Sequence, residues 1–76
     1  MVTAYVMIKS LTGEADRMKN DIASIDGVED VHIVAGDVDL IAKVDVESTA
    51  AVKDVAATQI HGVDGVDSTQ TYIAMD

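Results

Sequence analysis

Residues 34–46 constrain this chain most. Val34-Ala35-Gly36-Asp37-Val38-Asp39-Leu40-Ile41-Ala42-Lys43-Val44-Asp45-Val46 places a Gly-Asp pair between two runs rich in β-branched residues. Such a pair between such runs marks a tight hairpin, because glycine tolerates positive φ. Two central strands, over residues 28–35 and 38–46, are therefore expected to meet at Gly36 to Val38. The second alternates cleanly: Val38, Leu40, Ala42, Val44 and Val46 share one face, and Asp39, Ile41, Lys43 and Asp45 the other. Asp37 and Asp39 fall at the tip, and two readings fit them. Aspartate is enriched in turns for local reasons and stays solvated there, whereas carboxylates and backbone amides at a tip also face a small polar ligand well.

The flanking segments complete a pattern around this hairpin. Residues 2–9 read as a first strand, apolar on both faces: Val2, Ala4, Val6 and Ile8 on one, Tyr5 and Met7 on the other. A strand of that kind is covered on both sides, and 76 residues supply helices for one side only, so the second face is expected against another subunit. A helix follows, with Thr12 as N-cap, Glu14 and Asp16 in the first turn, and a stripe of Ala15, Met18, Ile22 and Ile25. Gly27 is its expected left-handed stop. A second helix starts at Ser48, packs through Val52, Val55, Ala56 and Ile60, and ends at Gly62, after which residues 66–75 form a last strand. Ile25-Asp26-Gly27-Val28 recurs as Ile60-His61-Gly62-Val63, so the chain reads as two similar halves. The order β-α-β-β-α-β is the ferredoxin-like, split βαβ arrangement in the α+β class: a four-stranded antiparallel sheet with two helices on one face. No linker divides it, and residues 1–76 are read as one domain.

Composition narrows the partners. Fourteen acidic against five basic residues give a net charge of −9. Nucleic acid is bound chiefly by cationic side chains that neutralise phosphates, so direct contact with DNA is not expected. Self-repulsion of this size is easier to bear where the Debye length is short, which fits a salt-loving, halophilic source. A chain this short buries only about 60–65% of its unfolded surface, and without cysteine it has no disulfide or thiolate metal site, which leaves oligomerisation as the usual remedy. The N-terminus lacks the charged region of a signal peptide and no apolar run reaches the roughly 18 residues of a membrane span. The expectation is a soluble, cytoplasmic protein with no membrane partner.

Little in the chain looks catalytic. His32 falls in a strand, His61 beside a helix-ending glycine, and no nucleophile with its base and orienting group can be placed. The Asp37/Asp39 pair lacks the ligand count of a calcium loop. No cofactor and no metal are expected, and the chain is read as a non-enzyme.

Ala4-Tyr5-Val6-Met7-Ile8, Gly13, Ile25-Asp26-Gly27-Val28, the stretch from Val34 to Val44, Ile60-His61-Gly62-Val63 and Ser68-Thr69-Gln70-Thr71-Tyr72-Ile73-Ala74-Met75 occur in an order and spacing that resemble the effector-binding (RAM) domain of the Lrp/AsnC feast/famine regulators, over essentially the whole chain. The resemblance implies a dimeric α/β-barrel type of assembly in which two sheets pack together, homodimers that build octamers or decamers, and an amino acid or related effector bound between dimers. Carried over by position, it points to Gly36, Asp37 and Asp39 in the hairpin and to Thr71, Tyr72 and Ile73 in the last strand. It also implies a role in transcription regulation through full-length Lrp/AsnC regulators. The sequence begins at the first strand, with no helix-turn-helix before it, and so resembles the stand-alone form. Val38 stands where many relatives carry an aromatic residue. Two alternatives remain: a small dimeric α/β-barrel enzyme of the monooxygenase kind, and a structural oligomer without ligand.

Overall fold

Alternation decides which residues of the first strand go inside. In the computed structural model, which describes residues 1–11 and 13–76, β1 (Val2–Ser10) buries Ala4, Val6 and Ile8 completely and leaves Tyr5 and Lys9 exposed. These three pair antiparallel with Val44, Ala42 and Leu40 of β3 (Leu40–Val46), which are equally buried. Opposed residues of an antiparallel pair point to the same face, so these six make the floor of the core. β2 (Val28–Ile33) lies beyond β3 and β4 (Val66–Ile73) beyond β1, giving a four-stranded sheet in the order β2-β3-β1-β4. β1 and β3 are its centre. The expectation that both hairpin strands are central is corrected: β2 is an edge, because β3 gives its other side to β1.

Two helical segments cover one face. α1 (Ala15–Ala23) sets Met18 and Ile22 into the core with no exposed surface, the middle of the expected stripe. Each such side chain is worth roughly 1.5–3 kcal/mol of burial. Its expected cap, Thr12, lies outside the described residues. The helix stops at Ala23, short of Asp26, and a turn closed by Val28 N–H donating to the Ile25 carbonyl (3.1 Å) carries Gly27 at φ 99° into β2. α2 (Thr49–Lys53) begins as expected at Ser48, whose hydroxyl accepts from Ala51 N–H at 3.1 Å. It then widens into a π-helical segment, Asp54–Ile60, where His61 N–H donates to the Ala56 carbonyl five residues back. Val52, Val55, Ala56 and Ile60 are all buried, the face expected from spacing.

The second half does not end as the repeat implies. Gly62 has no positive φ; the residue that matches Gly27 is Gly65, at φ 98° in a turn closed by Val66 N–H donating to the Val63 carbonyl (3.2 Å). The structural repeat is thus Ile25-Asp26-Gly27-Val28 with Val63-Asp64-Gly65-Val66. Arg17 pins this turn to α1: its guanidinium donates to the Asp64 carbonyl (3.0 Å) and pairs with Asp21 (3.0 Å) and Glu14 (3.4 Å).

The other face of the sheet carries no helix. Register places His32, Ile41, Met7 and Gln70 in one row across it and Asp30, Lys43, Tyr5 and Tyr72 in the next. Tyr5 and Tyr72 remain 39% and 51% exposed. Among the described residues, no helix is long and apolar enough to cross a membrane.

Candidate functional site

The helical layer is narrower than the sheet. α1 lies over β2 and β3, α2 over β3 and β1, and the π segment packs against β4, whose helix-side face is still left partly open. Thr69, Thr71 and Ile73 stand on that face, since they pair with Ile8, Val6 and Ala4, whose side chains point into the core. From the helical side Thr49, Val52, Lys53, Ala56 and Ala57 look across at them. Between the two rows runs a groove of about 290 Å³. Its wall is apolar at Val52, Ala56, Ala57 and Ile73, and Thr49, Lys53, Thr69 and Thr71 complete the lining. Two small residues, Ala56 and Ala57, form part of its helical wall beside the edge strand. At the lower end of the roughly 300–1,000 Å³ typical of ligand pockets, it suits a molecule of amino-acid size.

The six residues expected at a site fall into three places. Thr71 and Ile73 line the groove. Tyr72, between them in sequence, points to the opposite face, where it pairs with Tyr5. Gly36, Asp37 and Asp39 lie in the loop joining β2 to β3, at the other end of the sheet. Leu40 is level with Ile8 and Thr69, so Asp39 is about 10 Å along the strands and about 10 Å across them from Thr71. Within one chain the two groups do not meet.

The loop itself departs from the expected tight turn. β2 ends at Ile33 and β3 begins at Leu40, so residues 34–39 form a six-residue connection. Gly36 has no positive φ, and a Cβ built on it would meet no atom within 4 Å. Nothing in its own chain requires glycine there. Asp39 holds the connection in place: its Oδ2 accepts from Ser10 N–H (2.8 Å), its N–H donates to the Ile8 carbonyl (2.9 Å), and its carbonyl accepts from Val34 N–H (2.9 Å). Asp37 and Gly36 are exposed at the tip. Of the two readings of the aspartates, Asp39 has a structural role and Asp37 keeps its carboxylate in solvent.

Spacing alone does not reveal the helical wall of the groove. The pair Ala56-Ala57 across from the alternation Thr69-x-Thr71 carries the signal, but it becomes visible only once β4 is known to lie beside α2. His32 and His61 are both exposed and neither lines the groove, and among the described residues no cluster of three or more histidine, aspartate or glutamate side chains could hold a metal ion.

The model of the Lrp/AsnC ligand binding domain matches residues 3–76. The chain belongs to this family. Among solved structures, a protein from Thermus thermophilus superimposes with a TM-score of 0.93 at 30% identity, covering 100% of this chain and 95% of the other. Escherichia coli AsnC superimposes at 0.90 with 22% identity over 99% of this chain and 51% of its own, a likeness of fold. A feast or famine regulatory protein from Mycobacterium tuberculosis, complexed with L-methionine, gives 0.83 at 26% identity over 100% of this chain and 51% of its own. The Lrp/AsnC domain thus spans about half of each of these two regulators. No curated protein matches the chain. Membership makes this a ligand-binding domain of a transcription-regulator family, with the ferredoxin-like fold expected from element order.

Proposed function

We propose that this Lrp/AsnC domain binds an amino acid or a close relative in the groove between α2 and β4, and that the loop of residues 34–39 from another copy closes over it. The observation that carries this reading is the split of the expected residues. Thr71 and Ile73 line a cavity of the right size, while Gly36 and Asp37 project from a distant corner that reaches such a cavity only in a second chain. Gly36 supports it, because its missing side chain serves no contact in its own fold and suits close approach by something outside. In that arrangement the Asp37 carboxylate faces the ligand ammonium, the loop amides face its carboxylate, and the threonines satisfy the remaining polar atoms.

The uncovered sheet face is the proposed dimer surface. Tyr5, Met7, Ile41 and Tyr72 give it an apolar centre with Lys43 and Asp30 alongside. Tyr72 acts there and not in the groove. Dimers joined through groove and loop build the octamer or decamer, and full-length Lrp/AsnC regulators that share the sheet surface enter mixed assemblies, so effector level shifts which oligomer forms. With a charge of −9 the domain itself does not contact DNA, and its assembly depends on salt. The role is sensing, without catalysis, inside the cell.

Light scattering after size exclusion in high salt, with and without a panel of amino acids, tests this. Eight or ten chains per particle, or a ligand-dependent rise from a dimer that Gly36→Trp abolishes, is the expected result. A dimer of constant mass under every ligand overturns the inter-dimer site.

A further inference from the structure

Resting on the effector site proposed above, we infer that Lys53 makes the groove selective for an amino-acid effector with an anionic side chain. The chain carries fourteen carboxylates and five basic side chains, yet the one charged residue lining the groove is Lys53. The cation is not spent on the fold. Arg17 is engaged by Glu14 and Asp21, and Lys43 lies 3.8 Å from Glu29; no ion pair among the described residues involves Lys9, Lys19 or Lys53, and of these three it is Lys53 that lines the groove. The carboxylate next to it in sequence, Asp54, is turned to Gln59, whose amide donates to Asp54 Oδ2 at 3.0 Å along the π segment.

Position supports the assignment. Lys53 lines the groove, and Ala57, one helical turn on, is small enough to let its four-carbon stem lie along the groove wall. Thr49 precedes it by one turn on the same side, and Thr69 and Thr71 face it from β4, so hydroxyl donors stand on either side of the place where a second carboxylate would rest. An effector whose α-ammonium and α-carboxylate are held by the incoming loop sends its side chain into this space. There a carboxylate gains a charge-assisted hydrogen bond in a site that the loop shields from water, and a neutral side chain of equal size leaves the ammonium unpaired. The M. tuberculosis regulator is complexed with L-methionine, so the inference sets this chain apart from that relative.

Calorimetric titration of the whole chain with L-glutamate, L-glutamine and L-methionine decides the matter. Glutamate and glutamine have the same shape and differ in charge, so glutamate is expected to bind about tenfold tighter or more. Lys53→Gln should erase that ratio and Lys53→Glu should invert it. Both variants change an exposed side chain, and unaltered circular dichroism spectra would confirm the fold. Glutamine or methionine binding as tightly as glutamate, in a manner weakened by Thr71→Val, overturns the role of Lys53 and leaves the groove as the site. Binding insensitive to Thr71→Val, or no binding by any of the three, overturns both.

Discussion

α1 and α2 lie on the same face of one sheet and do opposite things with it. α1 is a regular helix that closes its half: Met18 and Ile22 are sealed in, and Arg17 reaches across to the Asp64 carbonyl to lock the neighbouring turn. α2 and its π continuation seal their inner side through Val52, Val55, Ala56 and Ile60, but present alanines toward β4 and leave a groove beside it. One helix is spent wholly on stability; the other divides its surface between core and cavity. A small domain of this layout has two helices for four strands, so complete cover is not available, and the groove opens beside the least covered strand, β4.

The largest loss of stability is expected on the α1 side. Ile22→Ala removes a fully buried side chain and should lower unfolding stability by about 2–5 kcal/mol in urea melts, enough to threaten a domain of this size. Gly27→Ala comes next. A Cβ there would sit 2.9 Å from Val46 Cγ1 and 3.3 Å from Val55 Cγ2, at a φ of 99° that L-residues avoid, and a loss of about 1–3 kcal/mol is expected. On the α2 side Ser48→Ala removes the hydrogen bond to Ala51 N–H and should lower stability by about 1 kcal/mol in the same assay. The sharpest contrast is Ala57→Leu, which fills the groove from an exposed position. Stability should move by less than about 0.5 kcal/mol while effector binding is lost in calorimetry. Gly36→Ala is the smallest change: no measurable shift in melting of the isolated chain, with a weakened effector response that light scattering reports.

Much of the molecule is legible in the sequence because local patterns and tertiary packing agree. The alternation in β1 and β3, the pair Met18 and Ile22, the face of Val52, Val55, Ala56 and Ile60, the Ser48 cap and the positive φ of Gly27 all follow from residue type and spacing. The second glycine departs from the pattern for a physical reason. Gly62 occupies the equivalent place in sequence, but the π segment and the turn after it shift the chain, so the left-handed position falls on Gly65, packed against Arg17 and Met18. The candidate groove is legible only in part. Thr71 and Ile73 belong to one cavity, Tyr72 faces away from it as period-two geometry demands, and Asp39 is occupied in tying the loop to β1.

Residue order alone specifies the identity of the elements and the inward face of each, since these depend on periods of 2 and 3.6 that a few neighbouring residues encode. Strand order was left to the tertiary structure. Placing β2 at one edge and β4 at the other depends on hydrogen-bonded pairing between segments far apart in the chain, and no local pattern specifies it. From that order follow the groove, the separation of Asp37 from Thr71, and the presence of Lys53 beside the cavity, because a site made by an edge strand and a distant helix exists only after both have found their places on the sheet.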